Sequence, residues 1–232
     1  MLGVLGGMGP LATADFFTKL LAATPARGDA DHIPTLIFSN PRIPPRPPAI
    51  LGNGESPLPA LLAARDKLIA GGATFLAMPC NTAHFWYADL VADCAVPFIS
   101  IVDASCSEIG TYANYGDTVG VIGTDATLAT KLYDEKLSAM GYVPHKPEER
   151  AMREVVLPAI ELVKVGKTIE GGRLLEGAIE QLLAGGAKMV VLACTETPMA
   201  LDAIASPLRK HCVDTTDALA RACVRFWLAH VS

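Results

Sequence analysis

The sequence predicts an α/β protein of two pseudo-symmetric lobes, each a mainly parallel sheet flanked by helices, with a site in the cleft between them. Three observations lead there. Short apolar runs at about 2–5, 34–38, 74–78, 97–101, 118–122 and 188–193 alternate with segments whose apolar residues recur at helical spacing. The chain also repeats itself. Gly3-Val4-Leu5-Gly6 returns 117 positions later as Gly120-Val121-Ile122-Gly123, and Leu68 to Cys80 aligns without a gap on Leu182 to Cys194, 114 positions later. Finally, each half delivers a cysteine, Cys80 or Cys194, to the carboxyl end of an apolar strand, the end at which open parallel sheets bind ligands.

The first strand runs into Gly6-Gly7-Met8-Gly9-Pro10. These glycines do not fit the GxGxxG spacing of a dinucleotide loop; they suit either a turn that lets a small anion approach backbone amides or a turn that is structural only. Ala14, Phe17, Leu20 and Leu21 mark the following helix. After the second strand, the stretch from Asn40 to Pro48 is too rich in proline for a helix interior or a central strand. It is expected to run as a stiff extended loop over the cleft. Leu58, Leu61 and Leu62 indicate a helix before the third strand, which ends at Cys80 and turns through Asn81, Thr82, Ala83 and His84 into another helix.

In the second half, Leu128-Ala129-Thr130 and Lys136-Leu137 repeat Leu11-Ala12-Thr13 and Lys19-Leu20. Residues 144–153 read as a polar, proline-containing connection before a helix carrying Val156, Ile160 and Val163. Leu174, Leu175, Ala178, Ile179, Leu182 and Leu183 give a strong helical stripe that leads to the strand ending at Cys194. The last helix, roughly 217–230, is preceded by Asp214-Thr215-Thr216, which offers a cap, and is expected to pack back onto the first lobe. The lobes are therefore drawn as residues 1–102 with about 212–232, and residues 103–211.

With 232 residues, 51% apolar and 19% charged, the chain is globular and long enough for two small cores. A net charge of −5 without clustered Lys or Arg speaks against nucleic acid as a partner. Leu68 to Ala88 holds no charged residue over 21 positions, but Gly71, Gly72, Pro79, Asn81, Thr82 and His84 interrupt it, so a strand, turn and helix explain it better than a membrane span. The amino terminus lacks the basic region of a signal peptide and its apolar run is broken by Gly and Pro, so a cytosolic protein is expected. There the six cysteines are expected to be free thiols. No CxxC or Cys/His ligand spacing appears, so no metal site is expected. Cys94, Cys106, Cys212 and Cys223 read as small buried apolar residues, Cys223 sharing a helical face with Leu219, Phe226 and Trp227.

Cys80 and Cys194 differ from these four because they occupy matching places in the repeat. A thiol near a helix amino terminus feels the positive end of the peptide dipoles, which lowers its pKa toward neutrality. The amides that follow, the hydroxyls of Thr82 and Thr195 and the amide of Asn81 suit a carboxylate. Two such thiols on opposite sides of a small anion can invert a carbon acid, one removing a proton from one face while the other supplies one to the opposite face. A disulfide is the competing use of facing thiols, disfavoured in a reducing compartment.

Taken together, Gly6 to Pro10 with Ala12-Thr13, the Asn40 to Arg46 loop, Pro79-Cys80-Asn81-Thr82-Ala83-His84, Gly123-Thr124 and Ala193-Cys194-Thr195-Glu196 make the chain similar to the cofactor-independent aspartate/glutamate racemase family, most closely its aspartate racemase branch. The resemblance spans essentially the whole chain. It implies a small amino-acid substrate, no pyridoxal phosphate or other cofactor, and no metal.

Position by position, it implies that Cys80 and Cys194 are the paired acid and base, and that Asn81, Thr82 and Thr195 receive the substrate α-carboxylate. Arg46 and Lys164 would face the substrate, and Met8 and Thr124 fall at substrate-site positions. Read from the residues rather than the resemblance, His84 and Glu196 are candidates to support the cysteines. The residues themselves leave second readings open: Lys164 as a solvated helix residue, His84 as a group that orients or deprotonates the thiol or as a cap on the helix start, Glu196 as tuning its partner or as part of a structural network, Thr124 as a turn residue. Analogy with glutamate racemases assigns the first cysteine to the D enantiomer and the second to the L.

Pro45 departs from the family, which often has an acidic residue before the loop arginine; this loosens the assignment to aspartate. The rivals are a related enzyme of maleate isomerase, hydantoin racemase or arylmalonate decarboxylase type, the last needing only one thiol, and a catalytically silent amino-acid-binding protein. The resemblance also leaves room for a homodimer.

Overall fold

A computed structural model describes residues 1–230. The chain divides into two units, Met1–Ala104 with the chain from Thr216 onward, and Ser105–Thr215.

In the first unit, β1 (Leu2–Gly6), β2 (Thr35–Ser39), β3 (Phe75–Ala77) and β4 (Phe98–Ile99) form a parallel sheet in the order β2-β1-β3-β4. Every residue of β1 and β3 is buried, as a parallel strand covered on both faces requires, which is why both read as unbroken apolar runs. The helices are α1 (Pro10–Ala23), α2 (Arg46–Ile50), α3 (Leu58–Ala70), α4 (Tyr87–Ala92) and α5 (Ile101–Ile109). α1 opens on Pro10, where a missing N–H costs nothing and the fixed φ suits the first turn. Leu61 and Leu68 of α3 pack with Leu5 and Leu76 of the sheet. The uncharged stretch from Leu68 to Ala88 is the end of α3, then β3, a 3₁₀ turn over Thr82–Trp86 and the start of α4. Among the described residues no helix is long and apolar enough to cross a membrane.

The second unit repeats this order. β5 (Thr118–Gly123), β6 (Val143–His145), β7 (Met189–Ala193) and β8 (Cys212–Asp214) pair in parallel as β6-β5-β7-β8. Its helices are α6 (Asp125–Ala129), α7 (Leu132–Ala139), α8 (Glu149–Ala151), α9 (Leu157–Lys164), α10 (Thr168–Ala184) and α11 (Glu196–Ala203), with a π-helical turn over Met152–Val156 leading into α9. Val156, Ile160 and Val163 pack with Leu175, Ile179 and Leu182 of α10 and with Val190 and Leu192 of β7.

The last helix, α12 (Thr215–His230), returns to the first unit. Phe226 and Trp227 lie against Phe75 of β3, with ring centroids 4.9 and 6.4 Å apart, and Cys223 is fully buried on this helix.

Three expectations are corrected. The proline-rich stretch does not stay extended: Arg46–Ile50 forms a helical turn, because Pro47 falls in the first turn, where its fixed φ favours the helix. Residues 144–153 are not all connection: the strand Val143–His145 takes the first two, and the chain is helical again from Glu149; Val143 and His145 are exposed at the sheet edge, so apolar content gives no cue there. Of the segment read only as a cap for the last helix, Asp214 is the final residue of the edge strand β8, and the helix already starts at Thr215.

Candidate active site

In both units the strand order places the topological switch between two neighbours, β1 and β3 in one and β5 and β7 in the other. Ligand sites of open parallel sheets form beyond such paired carboxyl ends. Cys80 follows β3 by three residues and Cys194 follows β7 directly, so both thiols stand at the switch point of their own sheet.

At the first switch point, the Cys80 amide donates to the Met78 carbonyl at 2.8 Å, turning the chain sharply after β3. His84 lies one turn on. Its Nδ1 is 2.8 Å from the Cys80 carbonyl, and the Ile101 amide approaches its Nε2 at 3.0 Å. A backbone amide can only donate, so Nε2 accepts and Nδ1 carries the proton that it donates to the Cys80 carbonyl. Burial pushes the ring's pKa down to about 4, against smaller raising effects from the Cys80 carbonyl and Asp103. His84 is therefore a neutral group engaged with backbone at both nitrogens, not a base for the thiol. Asn81 and Thr82 are buried polar residues beside it, and Cys80 packs among Met8, Ile43, Met78 and Ala83.

The glycine turn after β1 is closed from within. The Gly7 amide donates to Thr13 Oγ1 at 2.8 Å, and that hydroxyl donates to the Gly9 carbonyl at 3.0 Å, which commits the Gly7 amide to the turn. Gly7 has φ +94°, and a Cβ there would lie 2.4 Å from the Asn40 backbone. The side chain of Met8 is buried in the cluster that holds Cys80. Arg46, at the start of α2, donates through Nη1 to the Ile43 and Pro44 carbonyls at 3.3 Å each. Its Nε is buried with no hydrogen-bond partner, which leaves donor capacity on a half-buried cation.

At the second switch point, Cys194 Sγ donates to Glu196 Oε2 at 3.1 Å, and Thr195 Oγ1 donates to the same oxygen at 3.0 Å. Burial, then the Glu196 charge and hydrogen bond, push the Cys194 thiol well above its ordinary range, against smaller lowering effects that include the Lys164 charge. The expected lowering is thus reversed here, because burial and an adjacent carboxylate outweigh the dipole of the short α11. Lys164 ends α9, and its Nζ is 2.7 Å from Glu161 Oε1. Burial works to lower its pKa, but the Glu161 hydrogen bond and charge, with the charges of Cys194 and Glu196, raise it overall.

A Cβ on Gly123 would lie 2.8 Å from the Ala193 carbonyl oxygen, so glycine permits the end of β5 to sit against the residue before Cys194. Thr124 caps α6, its Oγ1 accepting from the Thr127 amide at 3.1 Å.

Two features were not anticipated. Glu161 holds Lys164, and its spacing three residues before the lysine on a helix was the available signal. Arg209 joins Asp202 of α11 at 2.9 Å to the buried Asp214 of β8 at 2.6 Å, fixing the helix that carries Glu196 to the sheet edge. No local sequence pattern announces that pairing. All six cysteines are free; Cys106, Cys212 and Cys223 are buried, while Cys94 is half-buried and donates to the Val96 carbonyl at 3.2 Å. Among the described residues no group of three or more His, Cys, Asp or Glu is placed to hold a metal ion.

Comparison with known proteins places these features in context. The sequence profile described as Asp/Glu/Hydantoin racemase matches residues 5–223. The chain is 28% identical over 239 residues to the broad specificity amino-acid racemase RacX of Bacillus subtilis, covering 100% of both chains. Among solved structures, the Picrophilus torridus aspartate racemase superposes with a TM-score of 0.83 at 30% identity, covering 97% of this chain and 93% of that one. The Francisella tularensis glutamate racemase, solved with D-glutamate, shares the fold at a TM-score of 0.67 and 19% identity over 98% of this chain and 81% of that one.

Proposed function

The chain belongs to the Asp/Glu/Hydantoin racemase family, and from that premise we propose that it is a cofactor-independent amino-acid racemase in which Cys80 and Cys194 exchange the α proton of one substrate. One observation carries the reading: two thiols stand at equivalent strand ends, at the switch points of two sheets with the same strand order. A thiolate on one side takes the α proton, the electron pair passes to the α carbon beside its carboxylate, and the other thiol returns a proton to the opposite face. The thiols end with their protonation states exchanged, so no external acid or base is consumed, and neither pyridoxal phosphate nor a metal is required.

Cys194 is suited to begin as the acid, since Glu196 and burial hold its proton. Glu196 also offers that proton an acceptor when the reaction runs the other way. Following the family analogy, Cys80 serves the D enantiomer and Cys194 the L. Asn81, Thr82 and Thr195 hold the α-carboxylate. Arg46, with its unpartnered Nε, and Lys164 address the side chain, while Met8 and Thr124 shape the site. Aspartate and glutamate are the first substrates to test. Neutral amino acids follow, because RacX is named for broad specificity and Pro45 stands where the family often carries an acid. A cytosolic setting keeps both thiols reduced. A homodimer belongs to the same proposal and is read by analytical ultracentrifugation.

The test is deuterium incorporation at Cα from heavy water, followed with chiral chromatography over a panel of L- and D-amino acids. Cys80→Ala and Cys194→Ala should each abolish interconversion. Full racemisation by both single variants would refute the two-thiol mechanism, and the absence of turnover on every amino acid would favour a binding protein.

A further inference from the structure

We propose that His84 is a positioning residue for Cys80, an uncharged imidazole clamp that ties the thiol-bearing turn to the amino terminus of α5 and takes no part in moving protons. The inference rests on the racemase reading only for its kinetic consequence, since the clamp itself is a matter of geometry.

The two strand-end turns are wired differently. The Cys194 carbonyl accepts the Thr197 amide at 3.1 Å, an ordinary backbone closure. The Cys80 carbonyl instead accepts from the His84 side chain, while the His84 amide bonds the Asn81 carbonyl at 3.0 Å. In the aligned frame, the position matching His84 is Pro198, which has neither a ring donor nor an amide to offer. At the Cys80 carbonyl the first turn thus uses a side-chain donor where the second, at the Cys194 carbonyl, uses a main-chain amide.

That side chain also reaches across the sheet end. Ile101 is the first residue of α5, and its amide has no acceptor within its own helix; His84 Nε2 supplies one. Ser100 Oγ accepts the Asp103 amide at 3.1 Å, so the same terminus is capped twice. The turn after β3 and the turn after β4 are thereby joined through one ring.

The ring is fixed in plane as well. Tyr87 stacks on it with centroids 5.4 Å apart and planes 10° apart, and the Tyr87 hydroxyl donates to the Phe98 carbonyl at 2.5 Å. Adding a proton to Nε2, or moving the proton there from Nδ1, would set two donors facing each other at the Ile101 contact, and flipping the ring would put carbon where each nitrogen now bonds. The network is satisfied only by the neutral Nδ1–H tautomer. A proton shuttle needs both states, so this histidine holds rather than relays.

The measurement uses the full-length protein. His84→Phe keeps the ring and removes both hydrogen bonds; it should lower kcat by about a hundredfold, the scale of an ångström misplacement of a reacting group, with KM within about twofold. His84→Asn restores a donor near Nδ1 and should recover part of kcat. Alkylation of Cys80 by iodoacetamide, located by peptide mass spectrometry, should change several-fold in His84→Phe while Cys94 reacts as before. This readout requires no turnover, so it separates failure of the clamp from failure of the racemase assignment.

A folded His84→Phe protein with wild-type kcat and wild-type Cys80 alkylation overturns the proposal. If the variants do not fold, ring ¹⁵N NMR of the wild-type protein decides: an Nδ1–H neutral ring persisting down to about pH 5 supports the clamp, and an Nε2–H ring or an imidazolium at neutral pH overturns it.

Discussion

The thiol of Cys194 donates to the carboxylate of Glu196 at 3.1 Å, and Thr195 donates to the same oxygen. A carboxylate that accepts a thiol proton both stabilises the thiol and stands ready to take its proton. Glu196→Gln should therefore lower the Cys194 pKa, visible as earlier thiolate absorbance on titration, while reducing kcat by about 10²-fold because the acceptor is lost. Faster alkylation of Cys194 together with slower turnover is the signature. An unchanged kcat would remove Glu196 from the proton path.

Acid stability follows from His84. The buried ring has a pKa of about 4 in the folded protein against 6.5 when unfolded, and it faces Asp103, Tyr87 and the Cys80 carbonyl. The unfolded chain takes up this proton as pH falls through 6.5, whereas the folded chain resists until about 4. The stabilisation is complete above the unfolded value and is lost through this window, amounting to about 3 kcal/mol. Urea unfolding at several pH values across the window should show the slope, and His84→Phe should flatten it.

Side-chain preference should turn on the Glu161–Lys164 pair. Glu161 holds the lysine at 2.7 Å and competes with any acidic substrate group for it. Lys164→Met should raise KM for aspartate and glutamate by about tenfold, the scale of one charge-assisted hydrogen bond, and leave neutral amino acids unaffected. Glu161→Gln should shift kcat/KM in the opposite direction. Parallel kinetics on aspartate and alanine would read both, and equal effects on the two substrates would exclude Lys164 from side-chain recognition.

The bridge from Asp202 through Arg209 to Asp214 predicts a stability effect. Arg209→Met leaves the buried Asp214 carboxylate without its guanidinium and should cost about 3 kcal/mol in urea unfolding. Because Arg209 also fixes α11 to the sheet edge, kcat should fall in the folded fraction.

How much of this was readable beforehand depended on where the information lay. The buried central strands announced themselves because a strand covered on both faces must be apolar throughout, as Leu2–Gly6 and Met189–Ala193 are. Edge strands carry no such requirement, so Pro144 and His145 of the strand Val143–His145 read as connection. The strand Cys212–Asp214 was nonetheless within reach of the sequence: it lies 114 positions after Phe98–Ile99, the same interval that separates the two site cysteines. The helical turn at Arg46 was obscured because proline excludes helix interiors but favours helix starts, and composition cannot tell which applies. The cysteines were visible through the repeat. What each turn does with its cysteine was not, since the His84 bonds reach to Ile101 and the raised Cys194 pKa depends on burial that only folding creates.

The packing of Phe75 against Phe226 and Trp227 has a consequence for biogenesis. The amino-terminal unit cannot cover this face of its third strand until the 16-residue carboxyl-terminal helix has left the ribosome, whereas the inserted unit is encoded without interruption. Synthesis is thus expected to complete the inner unit first, leaving the outer one as the aggregation-prone, chaperone-dependent species during translation.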